Sequence, residues 1–347
     1  MKGGYCIRVK EIEFHNFKNL KGGFSFSDGI NLILGPNGSG KTSLLEGIAY
    51  LSVPRSFRGV RDFALVRWGE DYFYINAKIY RFETPKNITV YVKIDKQGRT
   101  EKKVYKSDGR TVRTYEEVFK TFVVLSFSSK EHAFIDGPPS ERRRFFDWAL
   151  SLLDENYFQH LIEFRKLLEE KRLAIKSGQI IKPFNKALIP NIDYIINARR
   201  RFVDMLNSGL NYGFLPRGCS IKYRPNIQSG EKILNFEEEE KKRGFPLVGP
   251  QRDEFLITIE DKPVRIYASE GQKRRIHLAI VLFLRKVLEE KLGDKPVLVL
   301  DEPFVYLDPE GTEEVIKALD GQVFISSAKP IKIPTNNISQ INLQPYN

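Results

Sequence analysis

An apolar run that leads into a glycine-rich turn decides the fold of this chain: Ile30-Asn31-Leu32-Ile33-Leu34, then Gly35-Pro36-Asn37-Gly38-Ser39-Gly40-Lys41-Thr42. The run has the length and composition of a buried strand, and residues 41–51 have the pattern of a helix. The turn between them fits G-x-x-x-x-G-K-[ST] at every constrained position. In such a loop the glycines let backbone N–H groups close around phosphate oxygens. Lys41 then reaches the β- and γ-phosphates, and the Thr42 hydroxyl binds Mg²⁺. The segment therefore predicts nucleotide binding.

Composition narrows the class of protein. The chain has 347 residues, enough for about two domains, and a formal net charge of +12, which indicates a polyanionic partner such as nucleic acid or an anionic membrane surface. Its two cysteines, Cys6 and Cys219, lie far apart, which excludes a disulfide scaffold and argues against a zinc site. No apolar run is long enough to span a bilayer, and the first residues lack the apolar core of a signal peptide. We therefore expect a cytoplasmic protein with no membrane partner.

A second motif combines an apolar strand with two acids: Val297-Leu298-Val299-Leu300-Asp301-Glu302-Pro303. Asp301 suits the Mg²⁺-supporting position of phosphate-loop proteins. Glu302 suits the group that polarises an attacking water. Taken alone, the pattern also fits a strand that ends in an acidic turn. The distance along the chain from Lys41 is too great for a compact small GTPase and favours a split nucleotide domain that carries an insertion.

A third motif opens a long amphipathic helix at residues 268–275. Ser269 and Gln272 have the S-x-x-Q spacing of a capping box. A well-capped helix would explain this alone, but Gly271 is a poor helix former in the first turn and would let a phosphate approach the backbone. The loop at 35–42 already holds the nucleotide from one side. We therefore expect this second anion-binding helix start to contact the γ-phosphate of a nucleotide held by another subunit.

The order of patterns along the chain predicts an inserted lobe. Strand patterns dominate residues 72–125. After the break at residues 137–140, apolar residues recur at helical spacing through Lys176, and a second helix is expected over residues 189–211. The core pattern returns after 245, with helices expected over 270–291 and 310–319. The predicted organisation is a first nucleotide-domain segment at 1–136, a helical lobe at 137–244 and a completing segment at 245–347.

Together these elements resemble the head of ABC-type ATPases, with Walker A at 35–42, the signature at 269–272 and Walker B at 297–302. Within that group the chain resembles the RecF family of bacterial recombination mediators over nearly its whole length. Four further stretches are similar to family motifs: residues 14–20, 54–58, 137–147 and 249–254. The resemblance implies an α/β fold, an ABC-ATPase-like P-loop head with a mixed sheet, plus an inserted mainly α-helical lobe.

The resemblance also implies roles for individual residues. Lys18 and Asn19 would lie beside the phosphates of ATP. Asp301 would support Mg²⁺ together with Thr42, and Glu302 would orient the attacking water. The phosphates would be cradled by Gly35, Asn37, Gly38, Ser39, Gly40, Lys41, Thr42 and Ser43. Four residues would act across a dimer: Ser269, Gly271, Gln272 and Asp308.

The function that the resemblance implies is an ATP-gated DNA clamp that acts in repair and replication restart. ATP would close a homodimer on duplex DNA near a junction of single and double strands, and a weak, DNA-stimulated hydrolysis would open it. The family implies RecR and RecO as partners, help in RecA loading, an association with the nucleoid and a link to the SOS response. Two elements depart from the pattern: no switch histidine follows Ser326-Ser327, and no Q-loop glutamine occurs at residues 125–127.

Basic clusters indicate where DNA would bind. Residues 182–224 carry a net charge of +6, and the segment 99–113 has six Lys or Arg against two acids. The candidate contacts are Arg55, Arg58, Lys102, Lys103, Arg199, Arg200 and Arg201. Arg142, Arg143 and Arg144 fall in the first turn of a helix, where the dipole disfavours cations, so either internal carboxylates or DNA could compensate them.

Three other functions fit parts of the pattern. One is the ATPase subunit of a transporter, against which the inserted lobe and the basic surface argue. Another is a chromosome-structural protein of the SMC type, which would need long heptad segments that the chain lacks. The last is a nucleotide-dependent scaffold that does not hydrolyse ATP.

Overall fold

The chain divides into two compact units in the computed structural model, which describes residues 5–114, 117–118, 121–128, 133–330 and 338–344, without the side chains of Tyr5 and Cys6. The first unit comprises Met1–Glu131 and Val281–Asn347, and the second comprises His132–Ile280. The sequence predicts the return to the first unit at residue 245. In the structure the chain returns to the first unit only at Val281. The return is later because the strand Glu254–Ile259 pairs antiparallel with Cys219–Arg224 inside the second unit.

A five-stranded parallel sheet forms the nucleotide half of the first unit, in the order β16-β4-β15-β14-β9. Its strands are β4 (Ile30–Leu34), β9 (Val124–Ser128), β14 (Val297–Asp301), β15 (Val323–Ser327) and β16 (Ile338–Asn342). Residues 297–300 have no exposed surface, as expected for a central parallel strand covered on both faces. Helix α1 (Lys41–Tyr50) packs on β9, β14 and β15. Because all the strands are parallel, their carboxyl ends meet at one edge of the sheet.

The antiparallel strands of the first unit form a separate six-stranded sheet in the order β3-β2-β5-β6-β7-β8. These strands are β2 (Arg8–His15), β3 (Gly22–Ser25), β5 (Tyr72–Arg81), β6 (Thr84–Ile94), β7 (Thr100–Ser107) and β8 (Arg110–Val112). Burial alternates along β5 and β6, so one face packs and the other is solvated. A two-stranded parallel ribbon joins β1 (Tyr5–Cys6) to β13 (Asp294–Lys295). The resemblance implies one mixed sheet, whereas in the structure the parallel and antiparallel strands form separate sheets.

Helices dominate the second unit, together with a small sheet of β10 (Cys219–Arg224), β11 (Glu254–Ile259) and β12 (Lys262–Pro263). The helices are α2 (Ala133–Asp136), α3 (Pro139–Leu153), α4 (Glu155–Lys176), α5 (Lys182–Gly209), α6 (Glu237–Arg243) and α7 (Val264–Tyr267). Helix α8 (Glu270–Leu292) starts here and continues into the first unit, where α9 (Pro309–Lys317) follows β14.

Two helix boundaries differ from those that periodicity predicts. The helical run that ends at Lys176 is interrupted at Asp154, whose extended backbone and side chain cap the next helix by accepting a hydrogen bond from the Tyr157 N–H at 3.1 Å. Helix α5 begins at Lys182 and not at residue 189, because Pro183 occupies the first turn, where its missing N–H costs nothing.

Candidate nucleotide-binding site

The turn between β4 and α1 can be built only with glycine at two positions. Gly35 has φ +158, and a Cβ there would lie 2.5 Å from both the Leu343 carbonyl and the Ser39 Oγ. Gly40 has φ +95, and a Cβ would lie 3.2 Å from the Asn19 Nδ2. The loop therefore closes on itself and on the Asn19 turn, and side chains at these positions would open it.

The ammonium group of Lys41 lies inside this loop. Its side chain is 6% exposed, and Nζ donates to the Gly35 carbonyl at 2.7 Å and to the Pro36 carbonyl at 3.0 Å. The buried Ser39 Oγ has no hydrogen-bond partner among the residues that the structure describes. A buried hydroxyl without a partner and an ammonium held by its own loop are both suited to phosphate oxygens. The loop therefore fits the triphosphate of a nucleotide.

Asp301 is the buried carboxylate at the carboxyl end of β14. It is 2% exposed, and the Thr42 Oγ1 donates to it, with distances of 3.1 and 3.2 Å to its two oxygens. The hydroxyls of Ser326 and Ser128 also donate to it, at 2.6 and 3.3 Å. These side chains meet because they end three adjacent parallel strands and begin α1.

The oxygens of Thr42 and Asp301 are the kind of ligand that Mg²⁺ prefers, and this ion usually takes its other ligands from water and substrate phosphates. Within the described part of the chain, no cluster of three or more His, Cys, Asp or Glu side chains could hold a metal ion alone. The donor set therefore fits a Mg²⁺ ion that is shared with phosphates.

Glu302 follows Asp301 in an unusual backbone conformation. Its φ is +52, a left-handed value that costs a non-glycine residue energy. The conformation is held by a hydrogen bond from its N–H to the Ser326 Oγ at 3.0 Å. Ser326 therefore orders both acids of the motif.

The Lys18–Asn19 turn lies against the phosphate loop through Asn19. Lys18 is paired with Glu46, a fully buried acid that also accepts a hydrogen bond from the Ser56 hydroxyl. The guanidinium of Arg67 donates to the Lys18 carbonyl at 3.2 Å and to the Leu20 carbonyl at 2.5 Å. The Lys18 charge is thus compensated inside the fold, and Asn19 is the residue of this pair that contacts the loop.

Ser269 and Gln272 form the capping box that their spacing predicts. The Ser269 N–H donates to the Gln272 Oε1 at 2.8 Å, and the Gln272 N–H donates to the Ser269 Oγ at 3.3 Å. Ser269 is exposed and Gly271 is half-buried. Asp308 likewise caps α9, where its Oδ1 accepts a hydrogen bond from the Gly311 N–H at 2.7 Å. Both helix starts are therefore ordered by their own side chains and accessible to solvent.

Large apolar side chains are exposed directly before each of these helix starts. Ile266 and Tyr267 are 63% and 66% exposed, three and two residues before Ser269. Val305 and Tyr306 are 60% and 43% exposed, shortly before Asp308. Exposed apolar groups at neighbouring positions are typical of surfaces that bind another protein.

The structure corrects one predicted DNA contact, because Arg199 is buried. It is 1% exposed and binds Asp147 and Asp253, each at 2.7 Å. Although burial alone would lower the pKa of Arg199, Asp147 and the neighbouring acidic groups raise it well above its usual value. A side chain in this state has no surface to offer DNA. The helical spacing could have revealed it, since residue 199 continues the apolar stripe of Leu188, Ile192, Ile195, Phe202 and Leu206.

The other predicted DNA residues differ in how exposed they are and in the contacts they make within the fold. Arg55, Lys102 and Arg201 are exposed, and Arg58 is half-buried. Lys103 is engaged within the first unit, where it pairs with Asp62 at 2.7 Å and donates to the Pro54 carbonyl at 2.8 Å. Arg200 is half-buried and donates to the Gln228 Oε1 at 2.9 Å.

Internal groups compensate the three arginines at the start of α3. Arg142 is 5% exposed and donates to the Gly137 carbonyl at 2.8 Å. It also reaches Glu254 at 3.4 Å, and burial lowers its pKa. Arg143 donates to the Asp253 carbonyl at 2.9 Å, and Arg144 pairs with Glu141 at 3.1 Å. The structure therefore favours partners within the chain, and not DNA, for this arginine cluster.

Three residues that shape the site were missed by the sequence analysis: Ser128, Ser326 and Glu46. Their positions in the sequence could have identified them. Ser128 and Ser326 lie at the carboxyl ends of buried strands, the edge where ligands bind in parallel sheets. Glu46 is an acid on the otherwise apolar face of α1, where only a cationic partner would make burial tolerable.

Comparisons with known proteins identify relatives along almost the whole chain. Residues 8–333 match the family model described as the RecF/RecN/SMC N terminal domain. The chain is 31% identical to the DNA replication and repair protein RecF of Chlorobium phaeovibrioides, over 98% of each chain. It is also 31% identical to RecF of Thermoanaerobacter sp., over 92% of this chain and 93% of the relative.

Solved structures give the same grouping. A structure of the recombination mediator protein RecF with ATP has a TM-score of 0.85 and 29% identity, over 98% of both chains. A second RecF structure, described as RecF-ATPrS, has a TM-score of 0.81 and 29% identity, over 97% of both chains.

The helices of the described residues include none with the length and apolar character of a membrane span.

Proposed function

This chain belongs to the RecF family, within the RecF/RecN/SMC N-terminal-domain proteins, and from that premise we propose that it is an ATP-dependent DNA-binding recombination mediator. The observation that carries the proposal is the loop that encloses Lys41 next to the Thr42–Asp301 pair. Relatives named for DNA replication and repair, and for an ATP complex in the RecFOR pathway, support it.

ATP would bind with its phosphates in the loop at residues 35–42. Lys41 would exchange its two carbonyl partners for phosphate oxygens, and the Ser39 hydroxyl would gain the partner it lacks. Asn19, held against Gly40, would fix one wall of the site, together with Gly38 and Ser43. Mg²⁺ bound by Thr42 and Asp301 would neutralise charge on the phosphates. Lys41, Thr42 and Asp301 all lie at the carboxyl edge of one parallel sheet, which favours a preorganised site.

Hydrolysis would depend on Glu302. Its carboxylate follows the Mg²⁺-supporting Asp301, and the hydrogen bond to Ser326 fixes the backbone from which it extends before substrate arrives. A positioned carboxylate that accepts a proton from water is a recurrent device in phosphoryl transfer. We propose a weak ATPase, stimulated by DNA, that works as a conformational switch.

A second copy of the chain would complete the site. Ser269, Gly271 and Gln272 would face the γ-phosphate of a nucleotide held by the partner copy, with Asp308 at the seam. The capping hydrogen bonds hold the helix start in place, while the Gln272 side chain could exchange its backbone partner for phosphate. Exposed Tyr267 and Val305 would be buried at such a contact, which offsets part of the entropy cost of association.

DNA would bind through phosphate contacts, because the basic residues of each unit are not accompanied by a base-reading element. Arg55, Arg58, Lys102 and Arg201 are the candidates that the fold leaves accessible, and Arg200 is a partly engaged one. We propose duplex DNA near single-strand junctions as the ligand, RecR and RecO as partners in RecA loading, and a nucleoid-associated location in the cytoplasm.

ATP-dependent DNA affinity tests this function directly. Fluorescence anisotropy of a labelled duplex with a single-strand tail should show at least about tenfold tighter binding with a non-hydrolysable ATP analogue than with ADP. This is the scale of an ordinary allosteric coupling. Lys41→Arg should remove the nucleotide effect and keep the weak basal affinity. Equal affinity of the wild-type protein with and without nucleotide would contradict the proposal.

A further inference from the structure

A groove on the second unit combines basic and apolar side chains, and none of the proposed DNA-contacting residues lines it. It lies between the start of α3, the middle of α4 and the segment 245–252, and its volume is about 680 Å³. Its walls include Arg143, Arg165, Leu168, Arg172, Phe245 and Arg252.

The charged part of the groove is strongly basic, with four arginines and one acid. Arg165 and Arg172 lie two helical turns apart on one face of α4, about 10 Å along the helix. Glu169 lies between them and pairs with Arg172 at 2.6 Å. Arg165 is 61% exposed, and its nearest acid, Asp147, is also bound to Arg199. The groove therefore keeps positive charge for a ligand.

Arg252 extends this charge to the opposite wall. Its guanidinium donates to the Pro246 carbonyl at 3.2 Å and lies 5.7 Å from the centre of the Phe245 ring. No carboxylate is among its contacts in the described part of the chain. A guanidinium held against an aromatic ring loses little side-chain freedom on pairing with a carboxylate, so it is a prepared partner for one.

The remaining walls are apolar. Leu168 lies between Arg165 and Arg172 on the same face of α4, and Phe245 remains 42% exposed although Arg252 covers it. Pro139 and Pro246 add rigid apolar surface. A row of phosphates would satisfy the arginines but would leave this surface without a complement, whereas a polypeptide can supply carboxylates and an apolar side chain together.

We propose that this groove binds an acidic segment of another protein that carries an aromatic or aliphatic residue between its carboxylates. The carboxylates pair with Arg165 and Arg252, and the apolar side chain covers Phe245 and Leu168. Arginine and aromatic residues around a concave patch are the usual anchors of protein contacts. The groove lies wholly within the second unit, so binding needs neither nucleotide nor a second copy.

A labelled peptide with two phenylalanines among aspartates is the probe, measured by fluorescence anisotropy on the full chain without nucleotide. Arg165→Gln and Arg252→Glu should each weaken its binding on the order of tenfold, the loss expected for one charge-assisted hydrogen bond. Phe245→Ala should weaken binding of this peptide more than that of an all-aspartate peptide, which loses only the ordering of Arg252 against the ring. Lys166→Glu is the matched control, since it reverses an exposed charge on α4 outside the groove.

Unchanged peptide affinity in both arginine variants, with circular dichroism as in the wild type, would overturn the proposal. So would a failure of the wild-type chain to bind the peptide. A duplex DNA probe distinguishes the alternative occupant. If both variants lose as much affinity for the duplex as for the peptide, the groove is a nucleic-acid site and the proposal is wrong.

Discussion

Arg199→Met is expected to destabilise the second unit by about 3–5 kcal/mol, the usual cost of removing one member of a buried ion cluster. Asp147 and Asp253 are almost fully buried and would lose their buried cationic partner, which leaves Asp147 with the exposed Arg165 at 3.2 Å. Tyr157 donates to Asp147 at 2.5 Å, and Tyr223 donates to Asp253, so the hydroxyls compensate only part of the charge. Asp253 also accepts from the Asn226 N–H at 2.7 Å, which ties this loop to the cluster.

Urea denaturation followed by tryptophan fluorescence measures this loss. The fluorescence change reports the second unit, because Trp148 is half-buried there, whereas Trp68 in the first unit is fully exposed in the folded chain. The matched control is Arg201→Met, two residues along α5 and exposed. Its stability should stay within about 0.5 kcal/mol of the wild type, while its DNA affinity falls. A stable Arg199→Met with weakened DNA binding would instead restore the basic run as a DNA contact.

Glu302→Gln is expected to lower the rate of ATP hydrolysis by at least about 100-fold, the range of a lost general base. The amide keeps the shape of the side chain but cannot take a proton from water. ATP binding should persist, since Lys41, Thr42 and Asp301 are unchanged, and ATP should then hold the DNA-bound state. Phosphate release under steady-state conditions measures the first effect, and the lifetime of the DNA complex measures the second.

Glu310→Gln is the control for this change, because Glu310 is an exposed acid in the first turn of α9. Its hydrolysis rate should equal that of the wild type. Equal rates in Glu302→Gln and the wild type would remove Glu302 from the mechanism. Absence of phosphate release from the wild type, with ATP-dependent DNA binding intact, would favour the non-hydrolysing scaffold instead.

The features that short sequence patterns could predict are those that short-range physics determines. The phosphate loop depends on glycines within one turn, and the box at Ser269 and Gln272 depends on a spacing of three residues. The Walker B strand is predictable because a central parallel strand must be apolar throughout. These elements identify the site without knowledge of the rest of the chain.

The features that escaped prediction depend on partners far along the chain. Arg199 appears basic and exposed within its tripeptide, and only acids from α3 and the segment before β11 explain its burial. Ser326 seems an ordinary strand-end residue until β15 pairs beside β14, where it binds Asp301 and the Glu302 N–H. The helix breaks at Asp154 because the side chain of this residue caps the next helix, although the apolar stripe is otherwise continuous.

In the proposed dimer, one nucleotide is held by the glycine loop of one copy and by the Ser269 helix start of another. The decisive experiment is sedimentation of Lys41→Arg and Ser269→Arg, singly and mixed, with a non-hydrolysable ATP analogue. Each variant alone should stay monomeric, although Ser269→Arg still binds nucleotide. The mixture should form dimers, because one of its two composite sites contains only wild-type groups. Dimers of either variant alone, as abundant as those of the wild type, or a mixture that remains monomeric, would contradict the account.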